Sequence, residues 1–322
     1  MATGCGKKRR EYKEEEMSTR AQIRWLPDGH RLHLQDGPID LIVEGFGAAA
    51  EMESAYRAAR ERFTTILDEL CSELPFLRTA LSGVVQNANS EDGPHPRGAV
   101  AQRMSAATFP YAAQHFITPM AAVAGAVADE ILTTMTAAAQ LSRAYVNDGG
   151  DIALYLTTGE KFVVGMVQRP DRPSLFGATT LEFSQPVRGI ATSGWRGRSF
   201  SLGIADAVTV LADRAATADA AATIIANAVD LPGHPRILRV PARELAPDSD
   251  LGEIPVTQAV GDLTAAEINE ALTQGATTAE SLLQRKLIYA AALCLQGETR
   301  VVGGVSEFTQ IVPSHEGSLV HA

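Results

Sequence analysis

Asp219 and Thr223 stand four residues apart in ATADAAAT (216–223), whose other positions are one further threonine and five alanines. On a helix that spacing sets both side chains on one face, so a carboxylate and a hydroxyl converge on one point. Hard oxygen ligands of this kind suit Mg²⁺, which keeps waters and substrate phosphates in the rest of its shell. Both residues also have structural uses. Asp219 can favour a helix N-terminus electrostatically, and Thr223 can bond back to a carbonyl of the preceding turn. A second group is NDGGD, Asn147 to Asp151. Gly149 and Gly150 allow positive φ or close approach to a ligand. Asn147 and Asp151 offer oxygens to ribose hydroxyls, amides or a cation, although the same residues make an ordinary hairpin turn. A third is TSGWRGR, Thr192 to Arg198. Thr192, Ser193 and Gly194 can present N–H groups and hydroxyls to an anion, and Arg196 and Arg198 can bond to phosphate. A surface loop with two solvated arginines and a packing Trp195 accounts for the same residues.

These groups need elements to position them. Asp28-Gly29 and Asp36-Gly37 in IRWLPDGHRLHLQDGPIDLIVEG each lie between apolar alternations and predict a β-hairpin or meander. Residues 48–74 place Met52, Tyr56, Phe63, Ile66, Leu70 and Leu74 at near-helical spacing, an amphipathic helix against a sheet. Thr118 and Pro119 suit the N-cap and first position of the small-residue helix that carries Asp129. AYVNDGGDIALYL predicts strand, glycine turn, strand, and KFVVGMVQ and AVTVLA predict further strands. LEFSQPVRGIATSGWRGRSFSLG holds two strand-like pieces around the Thr-Ser-Gly turn. Helices are predicted at 216–229 and 264–284, and a closing hairpin in LIYAAALCLQGETRVVGGV. VPARELAPDSDLGEIPVT reads as a polar connector. No run of repeated βα units occurs, so the fold class is α+β, a mainly antiparallel sheet packed with helices. It forms a single domain over 18–322, after a disordered N-terminal arm at 1–17.

Composition narrows the function. The 322 residues are 45% hydrophobic, enough for a sizeable core, and a net charge of −10 argues against general nucleic-acid binding. Cys5, Cys71 and Cys294 are odd in number and match no metal spacing; Cys71 and Cys294 lie in apolar runs and read as buried thiols. This fits a reducing, cytoplasmic compartment. MATGCGKKRREYKEEEMS is no signal peptide, because no apolar stretch follows its basic run. The run Ala121 to Ala139 contains Asp129 and Glu130, which makes it a poor membrane span and a good buried helix. The partners expected are therefore a small-molecule cofactor, no nucleic acid and no membrane. The small residues of 121–128 and 215–226 also suit a homo-oligomer interface.

In chain order, a small-residue helix with Asp129, NDGGDI, IATSG and VTVLADRAATADAAAT resemble the ApbE-like superfamily, whose best-known members are FAD:protein FMN transferases. The chain is most similar to the superfamily's uncharacterised cytoplasmic branch. The likeness spans roughly Thr118 to Asp230, and the A-D-x-x-x-T pattern ending at Thr223 makes it fairly specific. It implies a T-fold architecture and a Mg²⁺ site at Asp219 and Thr223, completed by a backbone carbonyl near Val123. It implies FAD across Asn147, Gly149, Gly150, Thr192, Ser193, Gly194, Arg196 and Arg198. Asp129, Asp151 and Ser193 are the catalytic set on that reading, and the substrate is FAD or a related pyrophosphate or pterin-like cofactor. Two departures stand out. The family's lysine-glycine pair reads Ala124-Gly125 here, and its His-containing segment before the metal helix is replaced by SFSLGIADAVTV. The alternative is a flavin- or nucleotide-binding protein that has lost the transferase residues.

Overall fold

The computed structural model describes residues 20–81, 96–167, 175–304 and 319–321. The expected arm at 1–17, Cys5 and most of the loop 87–98 lie outside the described residues. Strands β1 (Gln22–Trp25), β2 (Leu32–Asp36) and β3 (Ile39–Gly47) form the predicted meander. Strict alternation of buried and half-buried residues along β3 gives it one core face. That face receives α1 (Ala49–Leu77), which buries Tyr56, Phe63, Ile66 and Leu70 at helical spacing. Phe63 and Ile66 are fully buried, and each contributes about 1.5–3 kcal/mol. The helix runs past 74 to Leu77, with Pro75 in its last turn. Cys71 is exposed on it, contrary to the expectation of a buried thiol, because it lies off the apolar stripe; Cys294 is buried.

Helix α2 (Ala99–Thr108) leads to a 3₁₀ turn at Pro119–Ala122 and then α3 (Val123–Ala138). Thr118 does not cap this segment by its side chain; its hydroxyl donates to Asp250 instead. By length and hydropathy Pro119–Ala138 could cross a membrane, but 56% of that window is buried inside the protein. Its buried Glu130 accepts hydrogen bonds from Arg62 of α1 at 2.8 Å and Arg103 of α2 at 3.1 Å, tying three helices together.

Strands β4 (Leu141–Asp148), β5 (Asp151–Leu156), β8 (Gly189–Ser193), β9 (Ala207–Ala212), β12 (Ala290–Leu295) and β13 (Glu298–Gly303) complete a nine-stranded sheet. Its order is β1-β2-β3-β4-β5-β8-β9-β12-β13, every pair antiparallel. β9 and β12 are buried at every residue, as expected for strands covered on both faces. On one face lie α1, α3, α4 (Ala215–Ala228) and α6 (Ala265–Gln284), the last opened by a capping box between Thr264 and Glu267. On the other lie β6 (Lys161–Val167) and β7 (Leu175–Glu182), which join β14 (Leu319–His321) in a small sheet over Tyr145, Ile152 and Leu154. The expected polar connector instead pairs β10 (Ile237–Pro241) with β11 (Pro255–Val260) around the short α5 (Ala242–Leu245). Its strands have mostly half-exposed residues and little apolar alternation, which hid them from periodicity.

Candidate functional site

β4 and β5 meet in a two-residue turn. Gly149 and Gly150 have φ of 63° and 116°, the left-handed backbone that glycine adopts at least cost. The Asn147 side-chain oxygen accepts the Gly150 N–H at 2.8 Å and braces the turn. So short a turn sets its flanking residues opposite one another, and Asp148 pairs with Asp151. β8 ends beside them: the Thr192 N–H donates to Asp151 Oδ1 at 3.2 Å, and the Thr192 and Thr209 hydroxyls are 2.9 Å apart.

Two core helices bring the remaining carboxylates. Asp219 of α4 accepts the Gly125 N–H at 3.1 Å and also the Ala124 N–H, so it lies at the N-terminal end of α3. Free N–H groups and the helix dipole favour a negative charge there. In return, Asp129 of α3 accepts the Ala215 and Ala216 N–H groups of α4 at 3.1 and 3.0 Å. The helices can approach this closely because position 125 is glycine: a Cβ there would lie 2.4 Å from the Ala215 carbonyl oxygen. The small residues of both helices thus serve an internal crossing.

Asp148, Asp151 and Asp219 act on one another. Burial, then the charge of Asp151, pushes Asp148 up to about 8. Burial, opposed by the Gly125 N–H and reinforced by Asp148, pushes Asp219 up to about 7. Burial and then the charge of Asp219 hold Asp151 well above the usual carboxylate range. Asp148 is only 4% exposed, whereas Asp151, Asp219 and Thr223 keep partial exposure. The cation beside this cluster is Arg198, whose Nη2 lies 3.8 Å from Asp148 Oδ1. It rests over the hairpin turn, where a Cβ on Gly149 would fall 1.8 Å from Nη2.

Thr223 sits one turn beyond Asp219. Thr133, Thr134 and Thr136 of α3 and Thr273 and Thr277 of α6 all donate back to helix carbonyls. The Thr223 hydroxyl makes no hydrogen bond among the described residues. Among those residues, no three His, Cys, Asp or Glu side chains converge so as to enclose a metal ion. A carboxylate and a hydroxyl on one helix face leave most of an octahedral shell to waters and ligand oxygens, a division that Mg²⁺ tolerates.

The structure therefore brings Gly149, Gly150, Asp151, Thr192, Arg198 and Asp219 to one end of the sheet, with Thr223 on the Asp219 helix. Asp129 is nearby but engaged in capping α4. Ser193 is half-exposed at the end of β8, paired with Val208, and its side chain leaves the strand on the face opposite that of Thr192. Gly194 is packed on backbone, with a would-be Cβ 2.5 Å from the Asp206 carbonyl. Arg196 is directed away from the turn. Its Nε donates to the buried Asp206 at 2.8 Å, and its guanidinium lies 4.2 Å over the Trp195 ring. Sequence reasoning passed over Asp148 as a site residue. The signal was available, because a Gly-Gly turn of two residues pairs positions 148 and 151.

Fold and site together define an α+β protein with a buried acidic cluster where a glycine hairpin meets the crossing of two alanine-rich helices. The sequence profile of the family described as AbpE bacteria matches residues 23–301, and the chain belongs to that family, within the ApbE-like superfamily. A UPF0280 protein of Methanopyrus kandleri is 42% identical over 129 residues, 40% of this chain and 48% of that protein. A UPF0280 protein of Methanocella arvoryzae is 32% identical over 220 residues, 65% of this chain and 75% of that protein. The chain thus spans about half the length of the first of these relatives. Among solved structures, apo flavinyl transferase ApbE of Pseudomonas stutzeri aligns over 89% of this chain and 94% of its own at 12% identity and TM-score 0.38. That superposition is too loose to carry any residue across.

Proposed function

We propose that Asp219 and Thr223 hold a divalent cation, Mg²⁺ by the hardness of their oxygens, and that FAD or a related pyrophosphate cofactor binds against it. One observation carries this reading. Three mutually repelling carboxyls, Asp148 buried and Asp151 and Asp219 partly so, lie together, and one turn beyond Asp219 is a threonine hydroxyl that makes no hydrogen bond among the described residues. A cation would relieve the repulsion and take the hydroxyl. When bound, it would neutralise charge on a pyrophosphate. The chain's own groups would do the positioning. Arg198, over Gly149, would bond the anionic part of the ligand, and the glycines of the 149–150 turn would let it approach the backbone. Asp151, held by the Thr192 N–H, fixes this turn against the end of β8.

The reaction proposed breaks the pyrophosphate of FAD: an acceptor hydroxyl gives up its proton and bonds to the FMN phosphorus while AMP leaves, by positioning and electrostatics. Ala124, at the superfamily's lysine position, favours a second reading, a flavin carrier without turnover. Mass analysis of the protein incubated with FAD and Mg²⁺ in excess separates them. FMN adducts, or FMN with AMP, support the transferase; intact FAD retained on the protein supports the carrier. Intact FAD that the protein does not retain contradicts both. Asp219→Asn, which keeps an acceptor for the α3 N–H groups, should abolish either result.

A further inference from the structure

A second cavity, of about 550 Å³, opens between β1, the end of β3 and the first turns of α1. It lies toward the end of β3 that pairs with the start of β4, whereas the Asp148 end of β4 pairs with Leu41. It is therefore separate from the acidic cluster. Its volume falls in the range of small-molecule sites. Its walls have a distinct chemistry. Trp25 is 47% exposed and meets Tyr56 edge to face, centroids 4.8 Å apart. Met52 adds apolar surface, and Glu53 brings a carboxylate from α1. Among the described residues, no lysine or arginine lines it.

The aromatic wall is held in place from behind. The Tyr56 hydroxyl donates to the His30 carbonyl at 2.8 Å and accepts the Gly45 N–H at 3.0 Å, clamping α1 to the β1–β2 loop and to β3. Phe46 reaches the rim only through β3 itself, because its ring leaves on the opposite face, against Phe162 and 4.2 Å from the guanidinium of Arg143. That guanidinium is bound to the Lys161 carbonyl. Trp25 therefore offers the open aromatic surface. An indole face with a carboxylate beside it attracts cations and repels anions, and tryptophan is the best of the aromatic residues for this contact. A phosphorylated or carboxylated compound would meet Glu53 and be repelled.

We propose that this cavity binds a small organic cation, an ammonium compound, with Trp25 as its aromatic wall and Glu53 as its countercharge. The site does not depend on the Asp219 cluster and stands whether or not that cluster binds flavin. Choline chloride is the probe, titrated calorimetrically against sodium chloride of equal ionic strength. Its uncharged isostere, 3,3-dimethylbutanol, runs alongside. Saturable choline binding is expected, with the isostere at least about tenfold weaker because it forgoes both the ring and carboxylate attraction. Glu53→Gln, at an exposed helix position, should weaken choline by a similar factor while leaving the unfolding midpoint unchanged. Trp25→Leu should do the same. No saturable choline binding, equal binding of the isostere, or full affinity in a folded Glu53→Gln variant would each overturn the proposal.

Discussion

Asp129 and Asp219 each cap the helix that carries the other: Asp129 takes the first N–H groups of α4, and Asp219 takes those of α3. The exchange locks the two helices at one crossing. It also fixes Asp219 beside the glycine hairpin, so the candidate site is built into the packing of the core.

Loss of the Asp129 cap should therefore cost stability directly. Asp129→Ala leaves two buried N–H groups without a partner, an expected loss of about 1–3 kcal/mol. Asp129→Asn should cost less, since its amide oxygen still accepts one of them. Denaturant unfolding of the two variants checks the order.

Gly125→Ala tests the crossing itself. The added methyl would sit 2.4 Å from the Ala215 carbonyl oxygen, and backbone cannot yield as a side-chain tip can. A loss of about 1–3 kcal/mol or more is expected. Cation affinity should fall with it, because Asp219 moves with the helix. A variant as stable as the wild type would show that the helices are not in backbone contact.

Gly149→Ala should displace Arg198 from the hairpin, since the new methyl takes the place of the guanidinium. The positive φ adds strain, for a total near 1 kcal/mol or above. With Arg198 displaced, Asp148 loses its attractive neighbour and should titrate still higher than in the wild type. Carboxyl titration by NMR reads this directly.

The pH dependence follows from the same cluster. Asp148 and Asp219 titrate near 8 and 7 when folded, against about 3.9 unfolded. The native state then holds more protons than the unfolded chain between about pH 4 and about 8, so stability falls as pH rises through that window. Glu267 is held near 2, chiefly by the Thr264 N–H. It works in the opposite sense, but only below about pH 4.3. Divalent cation requires the deprotonated carboxylates and should flatten the decline. Thermal unfolding across this window, with and without Mg²⁺, measures both effects; a midpoint independent of pH would exclude a strained acidic cluster.

Much of this was legible in the residues. The Asp-Gly turns, the apolar alternation beside them and the helical spacing of Tyr56, Phe63 and Ile66 are local signals, and local signals survive folding. Asp219 and Thr223 were visible because helical spacing is fixed by geometry. What stayed hidden depends on partners distant in the chain. Arg196 and Arg198 look alike in TSGWRGR, yet one is taken by Asp206 and Trp195 while the other reaches Asp148. Asp129 and Asp219 reveal their exchange only once residues 86 or more positions apart in the chain have met at the helix crossing. The β10–β11 pair was missed because its strands lack a core face to impose alternation.

The most direct test is FAD titrated calorimetrically into the wild type and Thr223→Val, each with and without Mg²⁺. Valine keeps the shape, and the hydroxyl it removes has no internal bond, so stability should change by no more than about 0.5 kcal/mol. The account predicts FAD binding that requires Mg²⁺ in the wild type and is weakened about tenfold or more in the variant. FAD affinity that is indifferent to Mg²⁺, or unchanged by loss of the hydroxyl, would contradict it.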